Sequence, residues 1–521
     1  MRLVSGTFRE GRIAAPALVF GALVPAVIGL VALPRATYAA PVIVVSVLVA
    51  LTYNALLSWR VLLATLLLII LFLPIRRYSL PGNLPFQLEP YRLFVLLLGL
   101  LWITALLIDP RVKLRRSGFG GPLAAIAATA LASVLLDPGR VQQVREVLLP
   151  DGTLSAITIQ ADVAKRLTFF ASFLLVFFII VSLVRTMDDL DFLVGVLVVG
   201  GSAVAVAALV EANTHYNVFN HLHSIFPFMK PQSLPYSLIA QDTRGGRLRV
   251  YASAEGPIAL SAAFVMLTPL SVYLARTRRR RWWIATALLV MGCLATVSRT
   301  GILMLLAVAL VYLRYRPVEI KRLWPLILPG LVAVHLALPG AIGTFSGAFF
   351  PKGGLVREQE GGAGTRGSGR LADVGPALDD WSRHPVFGEG FGTRITDLGR
   401  ANANILDDQW LGTLLETGIL GAAAWIWLFS RFFRRMGRKA KEDPDSPLAW
   451  LYVGLAASTL AFAIGMLTYD AFSFTQVTFL LFIMLALGAA LLAIEDKPAS
   501  VTPRRIASRA ASGSAPGRRT D

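Results

Sequence analysis

Long apolar runs recur along almost the whole chain, and this feature constrains the fold more than any other. A helix needs about 20 consecutive apolar residues to cross the hydrocarbon core of a membrane. Only 16% of the 521 residues are charged, whereas a soluble protein carries about 25%. A soluble helical protein is excluded because its helices would have almost no polar face. The sequence therefore predicts an all-α, polytopic bundle of transmembrane helices.

The apolar runs divide into about 12–14 candidate spans, separated by polar or basic segments. The runs at 61–74 and 300–314 are the shortest, so they are the weakest members of the set. In chain order the predicted spans are roughly 14–33, 41–58, 61–74, 92–108, 120–136, 166–184, 190–210, 257–275, 282–297, 300–314, 323–342, 410–430, 448–468 and 473–494.

The net charge of +19 is concentrated in short loops between spans, which is the pattern of cytoplasmic loops and not of a nucleic-acid surface. With an even number of spans, every strongly basic loop falls on one side, together with both termini. We therefore predict a multi-pass protein of the bacterial cytoplasmic (inner) membrane with both termini in the cytoplasm and no nucleic-acid partner. The basic loops are 109–117, 276–281, 314–322 and 430–441.

The segments on the opposite side include two larger extracytoplasmic loops, and loops longer than about 12–15 residues in a compact protein are usually functional or disordered. The single cysteine, Cys293, excludes an intrachain disulfide. The predicted organisation is N-terminal transmembrane helices (1–211), an outer loop (212–256), central helices (257–341), a large outer loop (342–409), C-terminal helices (410–495) and a disordered basic cytoplasmic tail (496–521).

Three arginines on the outer side are candidate ligands of a phosphate group. Arg299 lies in TVSRTGILMLL between two apolar runs, where an arginine needs a partner or a polar cavity. A guanidinium binds phosphate oxygens in a bidentate way, which suits a pyrophosphate at the membrane surface. The alternative for Arg299 is a side chain that extends to the interface. Arg370 and Arg249 lie in the outer loops, and solvated loop arginines are the alternative for both.

Two adjacent carboxylates, Asp407 and Asp408, precede the apolar run WLGTLLETGILG. An aspartate at this position commonly caps the free N–H groups of a helix. A carboxylate near a low-dielectric region also has a raised pKa, which makes it a better general base. One aspartate can cap the helix while the other reacts. We predict Asp407 as the candidate base and Asp408 as a supporting residue.

No metal site and no cofactor are predicted. His215, His221 and His223 lie close together in the sequence, but no acidic or cysteine ligand stands at a typical spacing from them. His384, in RHPVFGEGFG, lies in a predicted tight turn. The chain contains no phosphate-binding loop, nucleophile elbow, zinc-protease motif or dinucleotide fingerprint in a convincing context.

An ordered set of motifs resembles the O-antigen ligase/O-antigen polymerase superfamily of bacterial envelope polysaccharide assembly. Each motif is loose by itself, but their order around a large outer loop is more specific. The motifs are RVYASAEGPIALSAAFVMLTPL, SRTGIL with Arg299 and Leu303 in the Arg-x-x-x-Leu pattern, GRLADVGPALDDWSRHPVFGEGFG, and DDQWLGTLLETGILG.

One position departs from the family pattern. Ligases of this family carry a histidine with ten intervening residues before the helix glycine, and counting back from Gly418 places Asp407 there. The family's histidine base is therefore not carried over. Asp407 replaces it, or the chain follows the polymerase branch, has changed acceptor or has lost activity.

The resemblance implies a metal-independent glycosyltransferase at the outer face of the membrane. Its donor would be a glycan on undecaprenyl pyrophosphate, its acceptor a saccharide or lipid, and its other partner membrane lipid. The implied roles are catalysis by Asp407 and Arg299, and binding of pyrophosphate or glycan by Arg299, Arg370, Arg249 and Asp408. Whether the reaction is polymerisation or ligation stays open. The competing interpretations are a lipid-linked oligosaccharide flippase and a non-catalytic scaffold.

Overall fold

The structure is a computed structural model, and the fold it shows is all-α and polytopic, as the sequence predicts. Of the predicted spans, 14–33 and nearly all of 41–58 lie outside the residues that the structure describes. The described residues are 58–80, 88–136, 144–148, 154–227, 229–232, 243–244, 247–322, 324–338, 340–349, 374–394 and 406–495.

Helices account for most of the described residues, and the apolar runs coincide with them. In chain order the helices are α1 Trp59–Phe72, α2 Pro90–Ile108, α3 Gly120–Leu135, α4 Ile159–Leu183, α5 Met187–Thr214, α6 Leu222–Ile225, α7 Pro257–Thr277, α8 Trp282–Ala295, α9 Arg299–Tyr315, α10 Pro317–Lys321, α11 Ile327–Ala337, α12 Ala341–Phe349, α13 Val374–Arg383, α14 Gln409–Glu442, α15 Pro447–Gly465 and α16 Thr475–Glu495.

The remaining elements are short. Single 3₁₀ turns occur at Val218–His221, Trp324–Leu326 and Ala471–Ser473. Within the described ranges, the strands form three antiparallel two-stranded ribbons, β1 with β4, β2 with β3, and β5 with β6. The strands are β1 Tyr78–Ser79, β2 Val144–Leu148, β3 Leu154–Thr158, β4 Lys230–Pro231, β5 Thr243–Arg244 and β6 Arg247–Leu248.

Local sequence explains where many of the helices begin. Hydroxyl and carboxylate side chains accept hydrogen bonds from the free N–H groups of the first turn, which is the ordinary role of an N-cap. Proline stands in the first turn of several helices, where its missing N–H costs nothing. The N-caps are Ser58, Thr186, Ser298, Asp408 and Ser446, and the prolines are Pro90, Pro257, Pro317 and Pro447.

Seven described helices are long and apolar enough to cross a membrane: α2, α4, α5, α7, α14, α15 and α16. Burial separates them into inner and outer helices. The apolar stretches of α7 and α16 are 89% buried, whereas that of α2 is 39% buried. The inner pair therefore forms the core, with α15 packed on α7 and α4 packed on α16. Shorter apolar helices, including α1, α3 and α8, complete the bundle.

Three predicted boundaries are wrong. The predicted span 323–342 is broken into a 3₁₀ turn, α11 and α12. Helix α4 begins at Ile159 and not at 166, so Arg166 lies inside the helix. Helix α5 continues to Thr214, beyond the predicted span 190–210 and into the predicted outer loop 212–256, with Glu211 in its last turn. In the two latter cases the tertiary partners described below allow charged residues to extend the helix.

The two ends of the bundle are chemically different. One, which we call the basic end, brings together the predicted cytoplasmic loops. Arg115 donates to the carbonyl oxygens of Val184 (3.2 Å) and Ala493 (2.8 Å), and Arg431 donates to Gly118 O (2.9 Å). The other, which we call the loop end, holds the described residues 73–80, 88–89, 215–227, 229–232, 243–244, 247–256, 296–298, 384–394, 406–408 and 466–474. Every described candidate site residue lies at the loop end.

Candidate functional site

The N-terminus of α14 separates the roles of the two aspartates. The Oδ1 atom of Asp408 accepts hydrogen bonds from the backbone N–H groups of Trp410 (2.8 Å) and Leu411 (3.1 Å). Asp408 is therefore the N-cap of α14, which is the structural role foreseen for one of the pair. Asp407 precedes the cap and is half-buried. The N-cap of this helix is thus Asp408 and not Asp407.

Arg299 is the first residue of α9 and is half-buried. Ser298 caps the helix, with its Oγ accepting from the Gly301 N–H at 3.3 Å. The preceding residue, Val297, has a φ of 51°, a conformation that is an outlier for a β-branched side chain. Such strain costs of order 1–3 kcal/mol and persists only where the surroundings enforce it. The turn before Arg299 is therefore held in one shape.

Arg249 lies against the same turn. Its side chain is buried, and its Nε donates to Thr296 O at 3.4 Å. Thr296 is three residues before Arg299 in the chain. The structure therefore brings Arg249 and Arg299 into one neighbourhood, although 50 residues of sequence numbering separate them.

A short segment between α15 and α16 connects this neighbourhood with the aspartates. The Thr468 hydroxyl donates to Thr300 Oγ1 at 3.0 Å, beside Arg299. Two residues earlier, Met466 O accepts from the backbone N–H of Gln409 at 2.7 Å, beside Asp408. The N-termini of α9 and α14 therefore meet at residues 466–468. Arg299 and the two aspartates lie within two residues in sequence of these contacts, and Arg249 contacts the turn before Arg299.

A buried ionic network lies next to this convergence. The Nη2 atom of Arg394 donates to both carboxylate oxygens of Asp470 at 3.2 Å, and its Nε lies 3.6 Å from Glu416 Oε1. Arg166 contributes a second cation, with Nη1 at 3.3 Å from Glu416 Oε1. The side chains of Arg394, Glu416 and Asp470 are each 5–6% exposed. Burial opposes the charge of Arg394, but Asp470 and Glu416 raise the pKa of its guanidinium above the ordinary value.

Sequence reasoning missed these four residues as site components. The sequence does indicate Glu416 as a candidate, because an ionisable residue in an apolar run is expected to be paired or functional. The other members of the network, Arg166, Arg394 and Asp470, come from three distant parts of the chain. Nothing in their spacing identifies them as neighbours of Glu416.

The glycine-rich turn after His384 explains how Glu416 reaches the network. Helix α14 is interrupted at Gly418, which has a φ of 65°. The turn docks into this interruption, with the N–H groups of Glu389 and Gly390 donating to the carbonyl oxygens of Leu415 (2.7 Å) and Glu416 (3.1 Å). A Cβ atom on Gly418 would lie 2.2 Å from Val386 O. The glycine-rich turn after His384 and the interruption of α14 at Gly418 therefore pack directly against each other.

A cavity of about 50 Å³ lies beside the network, and it is large enough for a water molecule or a hydroxyl group. Its polar lining includes Arg166, Glu416, Gln409, Thr413 and Thr417. Aromatic side chains close the other walls. They are Phe169, Phe170, Phe173, Phe391, Trp425, Phe472 and Phe482.

A second group of buried charges lies elsewhere at the loop end. Arg77 donates to the carbonyl oxygens of Ala252 (2.8 Å) and Ala254, and Glu211 accepts from the Ala252 N–H at 2.9 Å. Nearby, Arg76 Nε lies 3.5 Å from Glu255 Oε1. These contacts fix the loop before α7, which carries Arg249 at its start.

The remaining predicted residues divide into two cases. Arg370 lies outside the described residues. Among the histidines, His221 stacks on Tyr216 with ring centroids 4.6 Å apart, and His384 N donates to Trp381 O at 3.0 Å. Within the described part of the chain, no group of three or more His, Cys, Asp or Glu residues is placed to hold a metal ion.

Comparison with known proteins supports the resemblance seen in the sequence. Residues 284–426 match the family model described as O-antigen ligase. This chain carries an O-antigen ligase domain. The resemblance to the O-antigen ligase/polymerase superfamily is thereby confirmed. The sequence has no significant match among curated proteins.

The O-antigen ligase domain contains most of the site at the loop end. Arg299, Arg394, Asp407, Asp408 and Glu416 all lie within residues 284–426. Three partners lie outside the matched segment, namely Arg166 on α4, Arg249 before α7 and Asp470 before α16. The matched segment therefore depends on flanking helices to complete its buried charges. The chain is thus a multi-pass membrane protein in which residues 284–426 are similar to the O-antigen ligase family.

Proposed function

We propose that this protein transfers a glycan from an undecaprenyl-pyrophosphate-linked donor to a hydroxyl group of a saccharide or lipid acceptor. In this proposal the reaction takes place at the outer face of the cytoplasmic membrane. The basic end then faces the cytoplasm, together with both termini, because arginine-rich and lysine-rich loops favour that side.

The proposal rests on one observation. The N-termini of α9 and α14, which both belong to the matched segment, meet at residues 466–468. Helix N-termini carry a partial positive charge and favour anions. Arg299 begins one of these helices, and Arg249 lies against the turn before it. A donor pyrophosphate is the anion that an O-antigen ligase domain gives reason to expect here.

Each predicted residue has a role in this proposal. Arg299 and Arg249 bind the pyrophosphate, and Arg370 joins them from the outer loop. Asp407 is the general base. Asp408 supports the site by capping α14, and the Arg394–Glu416–Asp470 network holds the helix start in position.

The proposed reaction is a single displacement at the anomeric carbon of the donor sugar. Asp407 takes the proton of the acceptor hydroxyl, whose oxygen forms the new glycosidic bond. The bond between the anomeric carbon and the pyrophosphate oxygen breaks, and undecaprenyl pyrophosphate leaves with the bonding electron pair. Arg299 and Arg249 stabilise the negative charge that develops on the leaving group. Because the arginines supply the positive charge, the proposal requires no metal ion.

Complementation of a deletion strain tests the proposal. The variants are Arg299→Ala, Arg299→Lys, Arg249→Gln and Asp407→Asn, with Arg383→Ala as the control because Arg383 is an exposed arginine of the same outer loop. We expect loss of polymeric or attached glycan for Arg299→Ala and Asp407→Asn at normal expression, and full glycan for the control. Wild-type glycan from both variants would refute the catalytic roles and leave the scaffold interpretation.

The glycan pattern in the defective strains separates the open alternatives. Short, unpolymerised units at the outer face indicate a polymerase, and full-length unattached chains indicate a ligase. Lipid-linked units retained on the cytoplasmic side indicate a flippase instead.

The variant Asp407→His tests the position at which related ligases carry histidine. Imidazole is also a general base near neutral pH. We expect Asp407→His to retain more transfer than Asp407→Asn. Purified protein that keeps its activity in a chelator would support the metal-independent step.

A further inference from the structure

The C-terminal part of α14 forms a basic arm at the basic end. The helix is interrupted at Gly418, and the part after the interruption, residues 419–442, corresponds to about 36 Å at 1.5 Å per residue. The hydrocarbon core is about 30 Å thick. The arm, residues 430–442, has the sequence SRFFRRMGRKAKE, and its basic residues favour a position at the cytoplasmic membrane surface.

A cleft of about 440 Å³ opens between this arm and the C-terminal residue of α9. Three cationic side chains of α14, Arg434, Arg438 and Lys441, line it, and all three are exposed. Their spacing of four and three residues places them along one face of the helix. Tyr315 and Phe433 form the aromatic part of the lining.

The aromatic part is well packed. The rings of Tyr315 and Phe433 meet edge to face at 6.1 Å, and Gly437 leaves room for the Tyr315 hydroxyl against α14. Two cations lie near the Tyr315 ring, Arg314 with Cζ at 5.7 Å and Lys441 with Nζ at 5.6 Å from the centroid. The cleft thus combines an apolar floor with a cationic rim.

The rim has an excess of positive charge. Glu442 is the acidic member of the lining, and its carboxylate lies 3.6 Å from Arg438 Nε and 3.1 Å from Lys439 Nζ. Such exposed pairs contribute little and are screened by salt. Arg434 and Lys441 face the cleft in addition, so an anion there has several donors.

We propose that this cleft binds the headgroup of an anionic phospholipid. The phosphate pairs with Arg434, Arg438 and Lys441, and the glycerol backbone lies on Tyr315 and Phe433. Basic pockets at the cytoplasmic surface of membrane helices have the chemistry that such headgroups require. The chain's own tail is a poor occupant, because residues 496–521 contain five arginines and one lysine against two aspartates. The site is independent of the proposed glycan transfer.

Lipid retention by the purified full-length protein tests this site. The protein is mixed with phosphatidylglycerol or phosphatidylcholine in detergent, and bound lipid is counted by native mass spectrometry. We expect preferential retention of phosphatidylglycerol. The triple variant Arg434→Gln, Arg438→Gln, Lys441→Gln should lose at least fivefold of that retention, and Arg438→Gln alone should lose less.

The matched control is Arg279→Gln, Arg280→Gln, Arg281→Gln, which removes the same charge from exposed positions of the turn before α8. This control should retain phosphatidylglycerol like the wild type. Equal losses in both triple variants, or no loss in either, would refute a defined site. Equal competition by glycerol phosphate would show that the cleft takes a free phosphate and not a lipid.

Discussion

The two ends of the bundle hold charge in opposite ways. At the loop end, Arg394 and Asp470 are 5% and 6% exposed and pair with each other inside the protein. At the basic end, Arg438 and Glu442 are 66% and 49% exposed, although they also form a pair. Water and salt screen the second pair and not the first. We therefore expect the ion pair to hold the structure in place at the loop end but not at the basic end.

This difference explains why the candidate chemistry lies at the loop end. Buried charges are costly unless their partners are held in good geometry, so a buried network fixes the helix starts around it. Exposed charges impose no such geometry. They suit loops whose tasks are orientation in the bilayer and, in our proposal, contact with lipid headgroups.

The sharpest test of the comparison removes one arginine from each end. Arg394→Gln leaves Glu416 and Asp470 buried with reduced compensation, and breaking a buried pair costs about 3–5 kcal/mol. Arg438→Gln should change the free energy of unfolding by less than about 1 kcal/mol. Thermal unfolding in detergent measures both. Equal shifts in Tm would show that the buried network is not a stabilising element.

Two glycines of the same helix provide the next test. Gly418→Ala puts a methyl group against backbone atoms at a positive φ, so we expect a loss of roughly 2–4 kcal/mol. Gly437→Ala meets the Tyr315 side chain instead, and alanine favours the helix, so the net change should stay within about 1 kcal/mol. Similar melting temperatures for the two variants would contradict the tight packing of the glycine-rich turn against Gly418.

The pH dependence of stability should come from the loop end. Burial raises the pKa of Glu255 to about 7 from the ordinary 4.5, so the folded protein binds more protons than the unfolded chain between these values. The free energy of unfolding therefore falls as pH rises through this window, by at most about 3 kcal/mol. Arg76 reduces the effect because it pairs with the ionised carboxylate.

Glu255→Gln should flatten this slope in thermal unfolding measured from pH 5 to pH 8. Glu442→Gln at the basic end, where the carboxylate is 49% exposed, is the matched control. An unchanged slope in Glu255→Gln would assign the pH dependence to other groups.

Helix caps should show the smallest effect and no difference between the ends. Asp408→Ala and Ser446→Ala each remove an N-cap, which costs about 1 kcal/mol. Asp408→Asn should cost only a few tenths because asparagine caps equally well. A much larger loss in Asp408→Asn would indicate that the carboxylate charge of Asp408 has a role beyond capping.

The fold class could be predicted from the sequence because an all-helical chain with hydrophobic runs of spanning length can adopt few folds other than a transmembrane bundle. The clustering of Arg249, Arg299, Asp407 and Asp408 at one end also followed, since the positions of the spans determine which loops lie together. The break in 323–342 did not follow, because hydropathy counts apolar residues and is insensitive to local backbone turns.

The buried network was beyond sequence reasoning for a different reason. Arg166 was assigned to the first position of a span, and the span before Glu211 was ended at residue 210, because charges count against helix membership in a hydropathy profile. Both are helical, and in each case a tertiary partner offsets the charge. Hydropathy describes each segment alone, whereas the cost of a charge depends on what lies next to it.

The position of the helix break in α14 has a consequence for how the chain enters the membrane. Only residues 419–430 separate Gly418 from Arg431, and they span about 18 Å, well short of the hydrocarbon thickness. For α14 to cross a membrane, the turns before the break, with Glu416, must enter the bilayer too. Arg166 and Arg394 precede Glu416 in the chain, so both cations are already synthesised when α14 inserts. Because of the order of translation, the positive charges of Arg166 and Arg394 are present before Glu416 inserts.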